Sequence, residues 1–126
     1  MNANPPDHLY QMAGNLLMTA EHEQERADED VVTHLVCSHS RQSIIYFLTG
    51  YLHNKNIPVD QPTTIASLWQ QCKTIDARFE ELRFIDVQCR FELHDRFYCL
   101  EHDHVDACLR CAQHIRSIVQ EDAPGY

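Results

Sequence analysis

Between Pro6 and Arg26 the residues Leu9, Met12, Ala13, Leu16, Leu17 and Ala20 recur three and four apart, the spacing of an amphipathic helix. Pro5 and Pro6 suit its opening turn, because proline lacks only a donor that would have no intrahelical partner there. A second helix is predicted over 29–54. Its seam is Val31, Leu35, Ile45, Leu48 and Leu52, flanked by Val32, Val36, Ile44, Phe47 and Tyr51. The middle of that helix, Ser38 to Ser43, is small and polar, which would let a neighbour approach closely. Residues 54–62 hold two prolines and read as a turn. Thr63 or Thr64 then caps a third helix over 63–82, in which Ile65, Leu68, Cys72, Ile75, Phe79 and Leu82 keep three-four spacing and Trp69 widens the stripe. Gln71 lies off that stripe and is expected to tolerate a charge. A last helix is predicted over 101–121, with Val105, Cys108, Ala112, Ile115 and Val119 facing the core. From Ile85 to Leu93 apolar and polar residues alternate as in a strand, but a lone strand would have no partner. Residues 85–100 therefore stay open between a helical continuation and an extended segment. Long amphipathic helices with short links predict an all-α, up-and-down bundle of four to five helices in one domain over 1–126.

Charge narrows the set of partners. Ten Lys and Arg stand against 19 Asp and Glu, a formal charge of −9, which excludes a broad basic surface for duplex DNA or an anionic membrane. The acidic stretch from Glu21 to Asp30 supplies more than half of that charge and reads as a solvated helix end and turn. The longest apolar run, Ile44 to Leu48, is too short to cross a bilayer, and no basic segment precedes an apolar stretch at the amino terminus. A cytoplasmic location is expected. The six cysteines are then expected to be thiols and need a packing or metal explanation.

The run CSHSRQSIIYFLTGYLHNKNIP, followed by TTIASLWQQCKTIDARFEEL, resembles the HEPN domain of higher eukaryotes and prokaryotes. In that family a small and polar helical segment leads into an apolar helix, a turn with proline, and an Ile-Asp-x-x-Phe-x-x-Leu stretch. Cys89-Arg90-Phe91 resembles the place where many members carry Thr-Arg-Tyr before the final helix. The similarity covers about two thirds of the chain. It implies a four- to five-helix bundle that pairs as a homodimer, and a nucleotide- or RNA-linked role. Some members partner minimal nucleotidyltransferases in toxin–antitoxin pairs, some are metal-independent endoribonucleases, and others are inert interaction modules; the family alone does not choose.

Family ribonucleases carry an Arg, four to six residues, and a His near the start of the last helix, and Arg96 to His102 meets that spacing. The chemistry fits. Imidazole titrates near neutrality and can move the proton of a ribose 2′-hydroxyl, while a guanidinium neutralises charge on the phosphoryl oxygens. Phe97 departs from the polar residue that active members place after the Arg, and Arg90 to His94 is too short a spacing. Residues 94–114 also concentrate seven of the fifteen Cys and His residues. Within them Cys99-x-x-His102 and Cys108-x-x-Cys111 resemble two halves of a structural zinc site, although Cys108 also lies on the core stripe, where burial explains it without metal. The patch His39-Ser40-Arg41, with Arg90, could grip a nucleotide phosphate, or Arg41 could pair with a carboxylate of a neighbouring helix or subunit. No Gly-x-Ser-x-Gly elbow and no phosphate-cradling glycine loop occurs in the sequence.

The sequence thus leads first to a homodimeric, HEPN-like interaction or nucleotide-associated module. The alternatives are a metal-independent endoribonuclease using Arg96 and His102, and a zinc-stabilised helical domain using Cys99, His102, Cys108 and Cys111. No cofactor is expected unless the zinc alternative holds. Pairing is expected from the resemblance and from an apolar face on helix two, with Ile44, Phe47 and Tyr51 beside its seam, that looks wider than a small bundle requires.

Overall fold

In the computed structural model α1 runs Pro5–Gln24, opening on the two prolines. The structure describes residues 5–26, 33–61, 63–81 and 102–122. Within them lie α2 (Thr33–Asn54), α3 (Ile65–Ile75), a 3₁₀ turn (Ala77–Glu81) and α4 (His102–Asp122). All regular structure among the described residues is helical, as expected of an all-α bundle. No helix among them is long and apolar enough to cross a membrane. The segment 85–100 lies outside the described residues.

Helix α2 is the hub, packing against α1, α3 and α4. Its small residues set how closely α1 approaches. The Ser43 hydroxyl donates to the Ala13 carbonyl at 2.8 Å, and a Cβ on Gly50 would come within 2.8 Å of the Tyr10 ring. These contacts pair the start of α1 with the end of α2, so the two helices are antiparallel. At the other interface Cys37 meets Cys108, and Lys55 pairs with Asp122 at 3.7 Å. Partners advance together along both helices, so α2 and α4 run in the same direction.

This crowding corrects the expected seam of α2. Val36, Cys37, Ile44, Phe47, Leu48, Tyr51 and Leu52 are buried, while Leu35 and Ile45 are only half-buried. The polar middle is interior too, with Ser40 and Ser43 fully buried and Arg41 8% exposed. Leu48 and Leu52 of the expected seam are buried together with its flank of Val36, Ile44, Phe47 and Tyr51, and only Leu35 and Ile45 fall at the edge, because a helix surrounded on three sides has no broad polar face there. Ile44, Phe47 and Tyr51 are thus covered within a single chain, and they are not the surplus apolar surface that argued for pairing.

Asn56 ends α2 in the left-handed region at φ 59°, with Ile57 N–H donating to Leu52 O at 2.9 Å and Asn56 N–H to His53 O at 3.0 Å. This is a Schellman motif, with asparagine in the place glycine usually takes. Thr64 and Ser67 then form a capping box at the start of α3.

The third helix is shorter than the spacing predicts. Instead of one helix over 63–82, α3 stops at Ile75 and Asp76 is extended, at φ −148° and ψ 114°. The Asp76 carboxylate accepts the Arg78 backbone N–H at 2.9 Å, a local bond that competes with the helical ladder. Ile65, Leu68, Cys72 and Phe79 are buried as expected, but Ile75 is 42% exposed and leaves the core. The 3₁₀ turn returns Phe79 inward, edge-on to Tyr51 with ring centroids 4.9 Å apart. Trp69 locks that turn by donating its indole N–H to Phe79 O at 2.7 Å. Gln71 is not a neutral surface residue either. Its amide donates to Pro58 O at 2.8 Å and accepts from the Asp60 N–H at 2.9 Å, tying down the loop before α3.

Candidate functional site

The parallel run of α2 and α4 brings the start of both helices to one end of the bundle. His39, Ser40 and Arg41 lie on α2 near that end; Ser40 and Arg41 enter the interior and His39 is half-buried, so the three form no open patch. Among the described residues the buried His39 Nδ1 and Ser40 Oγ have no hydrogen-bond partner. Leaving such an atom unmatched costs about 1–3 kcal/mol.

Across from them on α4, Cys108 is hydrogen-bonded to Cys37 and lies beside the Arg41 guanidinium. The bond to Cys37 and the burial of the site push the Cys108 thiol far up, and the positive Arg41 opposes that shift. Cys111, one turn further along α4, is pushed up to about 12 by burial. On α3, Cys72 is likewise pushed up to about 12, first by burial and then by the Asp76 charge. All four cysteines among the described residues are buried thiols outside any disulfide.

His102 is the first residue of α4, six residues before Cys108 and therefore about 9 Å from it along the helix axis. Its backbone position lies at the same end as the start of α2. Arg96, Arg90 and Cys99 lie outside the described residues, so the Arg96–His102 pair and the Cys99 half of the zinc alternative are not brought together or separated here. Among the described residues no group of three or more His, Cys, Asp or Glu could hold a metal ion. The Cys108–Cys111 half of that alternative consists of buried thiols that keep their protons.

The opposite end carries a cluster that spacing did not reveal. The Arg78 guanidinium reaches Asp76 at 2.6 Å, Glu121 at 2.7 Å and Asp122 at 2.8 Å. Tyr51 donates its phenol to Asp76 at 2.8 Å. Hydrogen bonds from Arg78 hold the Asp76 carboxyl well below the usual carboxylate range, while burial and then the Asp76 bond push the Tyr51 phenol above its ordinary value. Glu21 at the end of α1 accepts from Arg116 at 3.0 Å and from Gln113 at 2.9 Å, and the Arg116 bond lowers its pKa. These two clusters join elements and contain no paired nucleophile and base. Searches against protein-family models, curated proteins and solved structures found no match to the chain.

Proposed function

We propose that this chain is a HEPN-like, homodimeric cytoplasmic module that binds a nucleotide or RNA, or a minimal nucleotidyltransferase, in a toxin–antitoxin type of pair. The observation that supports it best is the shared direction of α2 and α4, by which His102 begins α4 at the end of the bundle that also holds His39 and Arg41. The backbone positions of His39, Arg41 and His102 thus fall toward one end of an otherwise acidic chain, and imidazole and guanidinium are the residue types suited to a phosphate. Pairing rests on the family resemblance alone, because the apolar face of α2 is covered internally.

Light scattering at micromolar concentration should give the mass of a dimer. Adenine nucleotides and a short single-stranded RNA should bind with an affinity that falls in His102→Ala. A monomer that binds neither would sink the reading.

A second reading is favoured by one observation, that α4 begins at His102, where the Arg-to-His spacing of family ribonucleases would have it begin. In a twofold dimer, Arg96 and His102 of both chains would line one cleft. A 2′-hydroxyl would attack the adjacent phosphate to leave a cyclic phosphate end, one His taking the proton and the other protonating the leaving oxygen. Cleavage of an RNA panel should then persist in chelator and disappear in Arg96→Ala and His102→Ala. The zinc alternative, through Cys99, His102, Cys108 and Cys111, is separable from both: elemental analysis should find one zinc per chain, and chelator should lower the melting temperature.

A further inference from the structure

The outer surface of the α1–α2 hairpin has a composition of its own. On α1 the buried stripe of Ala13, Leu17 and Ala20 has two flanks: Glu21 on one reaches Arg116 of α4, and the other carries Leu9, Met12 and Leu16, all half-buried. On α2, Ser43 and Gly50 meet α1 and Lys55 reaches Asp122 of α4, so the strip with exposed Gln42 at its centre and half-buried Ile45 and Tyr46 beside it is turned outward. From His8 to Ala20 the chain has no Asp, Glu, Lys or Arg, and α2 has none but Arg41, which is interior. By contrast α4 carries Asp103, Asp106, Arg110, Arg116, Glu121 and Asp122.

This pattern selects the kind of partner. Two copies of a chain with a formal charge of −9 repel one another, and their approach is least opposed where both lack charge. A cationic partner would instead be drawn to the acidic stretch from Glu21 to Asp30. A twofold interface sets a stricter condition, because a residue near the axis meets its own copy. A charge there faces a like charge, whereas an amide, which both donates and accepts, pairs with itself. Gln42 meets that condition. Ser38, one turn earlier, returns its hydroxyl to Leu35 O at 3.5 Å, so covering it strands no donor. Two helices about 30 Å long and about 10 Å apart offer roughly 600 Å² in outline, close to the ~800 Å² that each partner buries in a stable complex.

We propose that a second copy of the chain docks on this face, α2 lying antiparallel against α2, with Gln42 of one copy facing Gln42 of the other near the twofold axis. The proposal rests on the homodimeric reading above and says where the copies meet. Helix α4 packs on the far side of the hairpin, so the two His102 residues stay apart in this dimer. It therefore belongs with the binding module and not with the shared cleft of the ribonuclease reading.

The full chain and its variants are compared by light scattering over a dilution series. Gln42→Glu, which sets two carboxylates against each other at the axis, should raise the dimer Kd about tenfold or more with an unchanged melting profile. Arg110→Glu makes the chain more acidic on the exposed face of α4, where the side chain is 78% exposed, and should leave the dimer intact. Gln42→Cys should give a covalent dimer under mild oxidation that the unaltered chain does not form, linked through residue 42 in a peptide map. Should Gln42→Glu fail to fold, that cross-link decides alone. A dimer indifferent to Gln42→Glu, or one that Gln42→Cys does not link, would overturn the proposal and leave the homodimeric reading standing. An unaltered chain that is a monomer, its face left to another protein or to none, would overturn both.

Discussion

At its N-terminal end α2 meets α4 through buried sulfur and guanidinium groups, whereas at its C-terminal end the elements are joined by a partly exposed network around Arg78. Polar chemistry serves both places under different solvents. At the first end each polar atom has left water, so its contribution depends on an internal match, and a mismatch costs the full desolvation. At the second, Arg78 is 34% exposed and Glu121 66%, so water and salt weaken each ion pair. The first interface should therefore answer to substitution, and the second to pH and ionic strength.

Four substitutions test that division. Val36 is fully buried next to Cys37, and Val36→Asp would place an unpaired carboxylate in the interior. A loss of about 4 kcal/mol or more, enough to prevent folding, should appear as the absence of a cooperative thermal transition. Asp76→Ala should cost about 2 kcal/mol at neutral pH by stripping Arg78 and Tyr51 of a charged partner. Because the folded Asp76 pKa is depressed, its stabilising effect is fully present above the ordinary carboxylate value of about 4 and is lost as pH falls below it. Urea unfolding at pH 7 and at pH 2 should thus show the gap between variant and parent closing in acid, and salt should narrow it as well. Gly50→Ala should lose about 1 kcal/mol in the same assay. Alanine is the better helix former, but its Cβ meets the Tyr10 ring, which is buried against Phe47 with centroids 6.3 Å apart and has little room to move. The smallest effect belongs to Ile75→Asp, within about 0.5 kcal/mol, since that side chain is 42% exposed. If Ile75→Asp melts as Val36→Asp does, the division between interior and rim is wrong.

Periodicity made α1, α2 and α4 legible, because each long helix repeats its apolar residues often enough for the pattern to exceed chance. It read the apolar part of the buried α2 face but not its full width, since Arg41 is interior and spacing arguments count only apolar residues. It also ran the third helix past Asp76. Phe79 keeps the same numerical spacing across the break, although a 3₁₀ turn rather than a helix brings it inward. Of the candidate site, the core position of Cys108 was readable from its stripe. Its meeting with Cys37 was not, because the offset between two helices is set by packing and leaves no trace in the spacing along either. The acceptor role of Asp76 was hidden for the same reason, with Tyr51 lying 25 residues away.

The shared direction of α2 and α4 carries a kinetic consequence. Helices α1 and α2 are neighbours in the chain and can close as a hairpin across a short link, whereas the α2–α4 interface must wait for the last helix, and contacts distant in sequence form more slowly. During synthesis the N-terminal hairpin leaves the ribosome first. Until α4 docks, the α2 surface that carries Cys37 and Arg41 lacks its cover, and the nascent chain exposes a thiol that the finished protein buries. Pulse-labelled hydrogen exchange should find amides of α1 and α2 protected before those of α4, and simultaneous protection of all three would contradict this order.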